Sequence, residues 1–455
     1  MLKRSTALEY KLHRSVLSKA DFVAYIQYEI NVLELIKKRR ARIGYQFKRE
    51  DIEFPIISRV TSVFRRATTK WQEDVQLWLS HVAFSKKWGT KAQLSKVFSS
   101  MLAIHPDKPS LWIMAAKCEM EDLDSSESAR HLFLRALRFH PENKKVYQEY
   151  FRMELMHAEK LRKQQHELEL AKIDLFSPEI LSGKLAEVVY RDAKQKIKGA
   201  EFMLSLLNIA AIFDFTKELQ DTILQDLQKE HTDDSVTWDF MARRELEAAG
   251  APELRSAQGR ASDTNRREER CCAVYEEGLR SLNTEPMWTC YLTFCLDRFK
   301  RKTNFAELKQ KVNDLVFVLL QKALSSPVPA ISAALKETYL EWAYKTSGYK
   351  KARKIFKSLH EHRPFTKAFF TKMIQIEKEQ EKPNMSNLRD YYERALREFG
   401  SSDDDLWMGY IREELGAHGS PENCGKLHWR AIKSLVGESV ERFTTQYTLM
   451  QTGHI

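Results

Sequence analysis

The 455-residue sequence is poor in residues that interrupt helices, with only 15 glycines and 12 prolines. With 30% charged and 43% hydrophobic residues, this scarcity excludes a collagen-like or low-complexity chain and favours a folded, helix-rich one. There are six cysteines, none spaced C-x-x-C, which argues against a disulfide framework or a zinc ribbon and fits a reducing compartment. Cys271 and Cys272 are expected to face different directions on one helix, whereas Cys290 and Cys295 read as small apolar core positions. Long apolar runs are also missing. The longest comparable stretch, Leu315 to Leu320, is far short of a bilayer span, and the opening MLKRSTALEYKLHRS holds no apolar segment of signal-peptide length. The expectation is a protein that is neither secreted nor membrane-spanning.

Catalytic motifs are absent as well. No Gly-rich phosphate loop, H-E-x-x-H, G-x-S-x-G or metal-spaced Cys/His set occurs, so no catalytic residue, cofactor site or metal site is predicted. The nearest carboxylate cluster, Asp403-Asp404-Asp405, follows Gly400-Ser401-Ser402 and precedes Leu406-Trp407, where acids suit a helix N-terminus. His428 stands where related positions carry an aromatic and reads as core packing.

Acidic charge is scarce at one end. Residues 1–70 carry 16 Lys and Arg against 7 Asp and Glu, a surplus of +9 in a chain whose total is +11. The densest part holds Lys37, Lys38, Arg39, Arg40 and Arg42, followed by Lys48-Arg49. Such a cluster can neutralise phosphates, meet an acidic partner or act as a nuclear-import signal, and it equally suits a solvated helix C-terminus.

What is present in abundance is a rhythm. In ARHLFLRALRFHPENKKVYQEYFRMEL, residues 129–155, Leu132, Phe133, Ala136 and Leu137 form one helical stripe, while Tyr147, Tyr150 and Glu154 line a face of the next helix. His140-Pro141 forms the turn between them. Phe64, Phe98 and Phe133 recur after 34 and 35 residues, and so do Trp78, Trp112 and Tyr147; Phe356, Tyr392 and His428 recur after 36. Hairpins of this size cannot bury their apolar faces alone and must stack on copies of themselves. The predicted fold is all-α, an α-solenoid of stacked antiparallel helix pairs. Its core is headed by Phe64, Trp78, Phe98, Trp112, Phe133, Tyr147, Trp238, Tyr275, Trp288, Phe356, Tyr392 and Trp407. Arg66, Arg135, Arg394 and Arg430, each preceding a small alanine, are expected to reach Glu119, Glu154 or Glu414 across the hairpins.

The predicted organisation is a basic helical region at 1–70, a first repeat array at 71–249 with a long helical extension near 156–172, a mobile loop at 250–268, a second array at 269–436 and a tail at 437–455. The tail is expected to be frayed or docked on a partner.

Trp78, Trp112 and Trp288 lack the glycine of the tetratricopeptide pattern four residues on, carrying Val82, Ala116 and Leu292 instead. With Glu seven residues after the aromatic in several copies and [Phe/Tyr]-x-Arg-Ala in the second helix, the motif resembles the HAT (half-a-tetratricopeptide) repeat. The runs DFVAYIQYEINVLELIKKRRARIGYQFKRE, LSKVFSSMLAIHPDKPSLWIMAAKCEMED, EERCCAVYEE and YYERALREFGSSDDDLWMGYIREEL further resemble a HAT-repeat family of the nucleolar small-subunit processome. The beginning is shorter than that family's pattern, and several repeats are missing between Lys300 and Lys336.

The resemblance implies a non-catalytic scaffold acting in U3 small nucleolar RNA-dependent pre-ribosomal RNA processing, in the nucleus and nucleolus. It also implies WD-repeat subunits, the U3 RNA and the pre-ribosomal RNA particle as partners, and no membrane. The alternative is direct, sequence-tolerant RNA binding in another RNA-processing complex, of splicing or mRNA 3′-end cleavage.

Overall fold

The computed structural model describes residues 2–44, 47–169, 176–247, 257–300, 306–324 and 329–452. Among these there is no β-strand. Two compact units divide the chain, Met1–Lys229 and Glu230–Ile455.

In the first unit the helices are α1 (Leu2–Lys11), α2 (Lys19–Ile43), α3 (Arg49–Lys70), α4 (Val75–Trp88), α5 (Lys91–Ile104), α6 (Pro109–Glu121), α7 (Ser126–Phe139), α8 (Lys144–Glu169), α9 (Pro178–Leu181), α10 (Lys184–Lys196), α11 (Ala200–Ala210) and α12 (Lys217–Glu230). In the second they are α13 (Ser235–Glu247), α14 (Ala257–Ser281), α15 (Glu285–Lys300), α16 (Ala306–Leu324), α17 (Pro329–Leu359), α18 (Lys367–Lys378), α19 (Met385–Phe399), α20 (Asp404–Leu415), α21 (Asn423–Ser434) and α22 (Glu438–Gln451). Each unit is a stack of helix pairs of α-solenoid type, with most helices packed on their neighbours in sequence. Gly348, at φ +75°, interrupts α17 and lets its two halves pack as separate members of the array.

The local signals that start these helices are side-chain caps. Asp74 accepts from the N–H groups of Gln76 and Leu77, Thr90 and Gln93 form a reciprocal box, and Asp403 accepts from Leu406 N at 3.1 Å. The acidic run at 403–405 is thus helix-terminal, with Asp404 also paired to Arg442 at 3.2 Å.

Three contacts recur along the stack. The first is a ring pair between successive hairpins. Phe64 of α3 lies on His81 of α4, Phe133 of α7 on Tyr150 of α8, Tyr275 of α14 on Tyr291 of α15 and Tyr392 of α19 on Tyr410 of α20, all within 4.7 to 5.2 Å between centroids and near-parallel. The second is the head tryptophan's N–H bond to a carbonyl in the preceding turn. Trp78 donates to Gln72 O, Trp112 to Pro106 O and Trp238 to Thr232 O. The third is a buried carboxylate seven residues after the head aromatic. Glu29, Glu119, Glu154, Glu377 and Glu414 are all buried. Burial of an ionised group requires partners, and each has them: Glu29 receives Ser5 Oγ, Glu119 receives Ser95 Oγ, Glu377 receives Tyr349 OH, and Glu154 and Glu414 are held by two-pronged arginines, Arg130 and Arg389.

Those arginines are not the ones expected. Arg135 sits 5.3 Å from the Trp112 ring, Arg430 5.5 Å from Trp407 and Arg66 5.6 Å from Phe22, while Arg394 pairs with Asp390. Five residues separate Arg130 from Arg135, about 140° around a helix. The side chain that faces the head ring of its own hairpin therefore cannot also face the carboxylate of the next.

Of the twelve ring positions named from the sequence, eleven are buried and Trp288 is only half-buried. Met287 takes the inner place, against Gly278, where an added Cβ would fall 2.5 Å from Met287 Cε and 3.0 Å from the Trp238 ring.

The boundaries differ in three places. Residues 1–70 are not set apart, because Leu12, Phe22, Leu33 and Phe64 share one core cluster with Leu77 and Phe84 of α4. Residues 257–268, expected within a mobile loop, belong to α14. Pairing one turn apart compensates for the missing apolar stripe, with Asp263 2.7 Å from Arg267, Asn265 bonded to Glu269, and Arg267 also donating to Leu246 O. Residues 250–256 lie outside the described residues. In the tail, α22 packs inside the second unit, its buried Phe443 set against His428 at 5.7 Å, and Tyr447 lies 4.3 Å from the same ring. The extension after residue 156 continues α8 to Glu169, and residues 170–172 are outside the described set.

Candidate macromolecular-interaction surface

The basic cluster lies on the last turns of α2. That helix starts at the Ser18 cap and ends at Gly44, whose N–H meets Arg40 O. Helical geometry distributes the five cations predicted from the sequence over three faces. Lys37, Lys38 and Arg42 are exposed and share a face with Glu34, at spacings of three, four and eight residues. Arg39 is also exposed, but on the strip that carries Leu35 and Ile43. Arg40 points inward, against the expectation that it belongs to a contact surface. Its guanidinium meets buried Glu53 of α3 at 2.8 Å and donates to Phe47 O at 2.9 Å, tying the α2–α3 connection together.

The cationic face continues onto α4. Lys87 of α4 donates to the Glu34 carboxylate, which that bond and nearby Lys37 and Lys38 hold below the ordinary carboxylate range. One acid therefore sits among three ammonium groups. Trp88, the last residue of α4, is half-buried beside them, with Lys37 Nζ 5.5 Å and Lys87 Nζ 5.6 Å from its ring centroid. Its inner part packs on the cluster of Leu33, Phe64 and Phe84.

Elsewhere the cavities are open grooves. A space of about 700 Å³ lies between the distal part of α8 and Ile212–Phe215, where Arg162 stands 4.9 Å from the Phe215 ring. A second, of about 300 Å³, is lined by Cys272, Cys295, Phe294, Val312 and Arg298. All six cysteines are free thiols. The Cys295 thiol is pushed up by its bond to Cys272 and by burial, and Cys272 is lowered through the same bond. Among the described residues no three His, Cys, Asp or Glu side chains are grouped so that they could hold a metal ion, and no helix is long and apolar enough to cross a membrane.

Comparison with known proteins places these features in a family. The U3 small nucleolar RNA-associated protein 6 family model matches residues 1–59, and the model for that family's C-terminal part matches residues 269–328 and again 318–435. The U3 small nucleolar RNA-associated protein 6 homologs of Mus musculus and Homo sapiens are each 48% identical over 565 residues, covering all of this chain and 95% of theirs. The chain belongs to the U3 small nucleolar RNA-associated protein 6 family. The Schizosaccharomyces pombe member is 34% identical over 161 residues, 35% of this chain and 33% of its own. Against the mammalian members, 110 of the 565 aligned positions have no counterpart in the chain's 455 residues. The two matches to the C-terminal family model overlap at 318–328, within the 300–336 interval where the sequence leads one to expect missing repeats. In this chain α16 and α17 nevertheless belong to one continuous core running from Trp238 to Phe443.

Sequence reasoning missed Trp88 and Glu34. Trp88 follows His81, Phe84 and Ser85 at spacings of seven, four and three, so it continues the core stripe of α4 and reads as packing; only the two lysines before it signal an exposed edge.

Proposed function

We propose that the protein is a non-catalytic scaffold subunit of the nucleolar small-subunit processome, supporting U3 RNA-dependent processing of pre-ribosomal RNA. The observation that carries this reading is the match to U3 small nucleolar RNA-associated proteins over the whole chain, on a fold made of repeated hairpins. Stacked hairpins present long continuous faces to other macromolecules and do not need to gather reacting groups in one cleft. WD-repeat subunits of the same assembly are the proposed protein partners, and the nucleolus the proposed location. The exposed Lys37, Lys38, Arg39 and Arg42 are the proposed contacts to RNA or to an acidic partner, with Arg40 supporting them from within.

The test is affinity purification of the full chain from nuclear extract, with hybridisation for U3 RNA and mass spectrometry of the bound proteins. Recovery of U3 RNA together with WD-repeat subunits is expected. Recovery of splicing or 3′-end cleavage factors without U3 RNA would replace this reading with the alternative of a scaffold in another RNA-processing complex.

A further inference from the structure

The cations at the end of α2 are not a simple charge run, because a half-buried indole from another helix is set among them. Lys37 approaches Trp88 from α2 and Lys87 from α4, while Glu34 holds Lys87 in place and leaves the group with a surplus of positive charge. Lys38 and Arg42 extend the same face of α2 beyond the ring. The side chains of Lys37 and Lys87 are both exposed; Lys87 is held by Glu34, and the Lys37 ammonium can leave the ring at little cost. An exposed cation–π contact contributes about 0.5–1 kcal/mol, whereas a base stacked on an aromatic contributes about 1–3 kcal/mol. A base that displaces one ammonium therefore gains on balance, and the displaced lysine remains beside the flanking phosphates.

We propose that the α2–α4 face around Trp88 is a binding site for single-stranded RNA, with Trp88 stacking one base and Lys37, Lys38, Arg42 and Lys87 neutralising the phosphates on either side. The ring favours a single strand over a duplex, whose bases are already stacked on one another. It also favours RNA over an acidic peptide, which offers charge without a planar face. This deepens the proposed function and rests on it for the presence of RNA near the scaffold.

The experiment titrates the purified full chain into a fluorescently labelled oligouridylate of roughly twelve nucleotides, between about 50 and 200 mM salt. A duplex of equal length and polyglutamate serve as competitors. Trp88→Leu is expected to weaken binding about tenfold and leave the salt slope unchanged. Trp88→Phe should keep most of the affinity. Replacing Lys37, Lys38, Arg42 and Lys87 together by Gln should flatten the log–log salt slope by about 3.

Trp88 also packs on the core, so the near-ultraviolet circular dichroism of each variant is compared with the parent. Photocrosslinking of a 4-thiouridine oligonucleotide to the unaltered chain gives a measurement independent of any variant, with a crosslink expected in the peptide that carries Trp88. Unchanged affinity of folded Trp88→Leu, competition by polyglutamate or duplex as effective as by the single strand, or a crosslink confined to other peptides would overturn the site. Recovery of U3 RNA by the purified chain is read separately, so loss of this site would leave the processome reading standing.

Discussion

His140 Nε2 lies 2.8 Å from the carbonyl oxygen of Pro106, the same oxygen that receives the indole N–H of Trp112 at 3.1 Å. One repeat earlier the arrangement is identical, with His105 Nε2 2.8 Å from Gln72 O, which also accepts from Trp78. The carbonyl in the turn before a hairpin thus joins that hairpin's head ring to the histidine that ends its second helix. Replacing His140 by Phe should cost about 1 kcal/mol, and His140→Gln, whose amide can still donate, should recover part of it. Urea unfolding and hydrogen exchange across α6 to α8 check this; equal stability of all three chains would show that the bond contributes nothing.

The pairing of Arg130 with Glu154 is two-pronged, at 2.6 and 2.9 Å, and the carboxylate is buried. Glu154→Ala should destabilise the first unit by about 3 kcal/mol, and a double-mutant cycle with Arg130→Ala should give coupling of about 1–2 kcal/mol. The cycle of Arg135→Ala with Glu154→Ala should be additive within about 0.5 kcal/mol, since Arg135 lies on Trp112. Coupling in the second cycle and none in the first would reverse this assignment.

Arg40 and Lys38 stand two residues apart and should respond oppositely to neutralisation. Arg40→Met removes a 2.8 Å guanidinium partner from buried Glu53 and is expected to cost about 3 kcal/mol, whereas Lys38→Gln at an exposed position should change stability by less than about 0.5 kcal/mol. Thermal melts of the two variants against the parent decide the matter.

His81 stacks on Phe64 at 4.9 Å, and neither of its ring nitrogens has a hydrogen-bond partner among the described residues. Burial lowers its pKa to about 4, against an ordinary value of 6.5. The unfolded chain therefore binds this proton more readily between pH 6.5 and 4. The contribution of neutral His81 is fully present above pH 6.5 and is lost as pH falls toward 4, by an amount on the order of 3 kcal/mol. His81→Phe keeps the ring and removes the titration. Its melting temperature should drop less than the parent's between pH 7.5 and 5, and parallel pH curves would contradict the burial argument.

The repeat rhythm was legible in the sequence because helix packing forces it. Trp78, Trp112 and Tyr147 must each reach the same kind of interior, so their spacing survives wide variation elsewhere. Partner choice on a helix surface was less legible. The [Phe/Tyr]-x-Arg-Ala motif marks Arg135 by its neighbours, but the residue that meets Glu154 is Arg130, and only the 100° step of the helix separates the two. Residues 257–268 looked like a loop because their helix is held by Asp263–Arg267 and similar polar pairs, not by an apolar stripe. The Trp88 face was hidden for another reason: Lys37 and Lys87 lie 50 residues apart in sequence, and only the packing of α4 near α2 brings both to one ring.

The ring pairs between successive hairpins also bear on how this chain can be shorter than its mammalian relatives. Four junctions carry the same near-parallel ring pair, from Phe64–His81 to Tyr392–Tyr410. Excising the links between two such junctions therefore leaves two cut ends that already match. What such an excision alters is distance: any ligand gripped on both sides of the excised stretch would have to span fewer links than its counterpart on a longer family member.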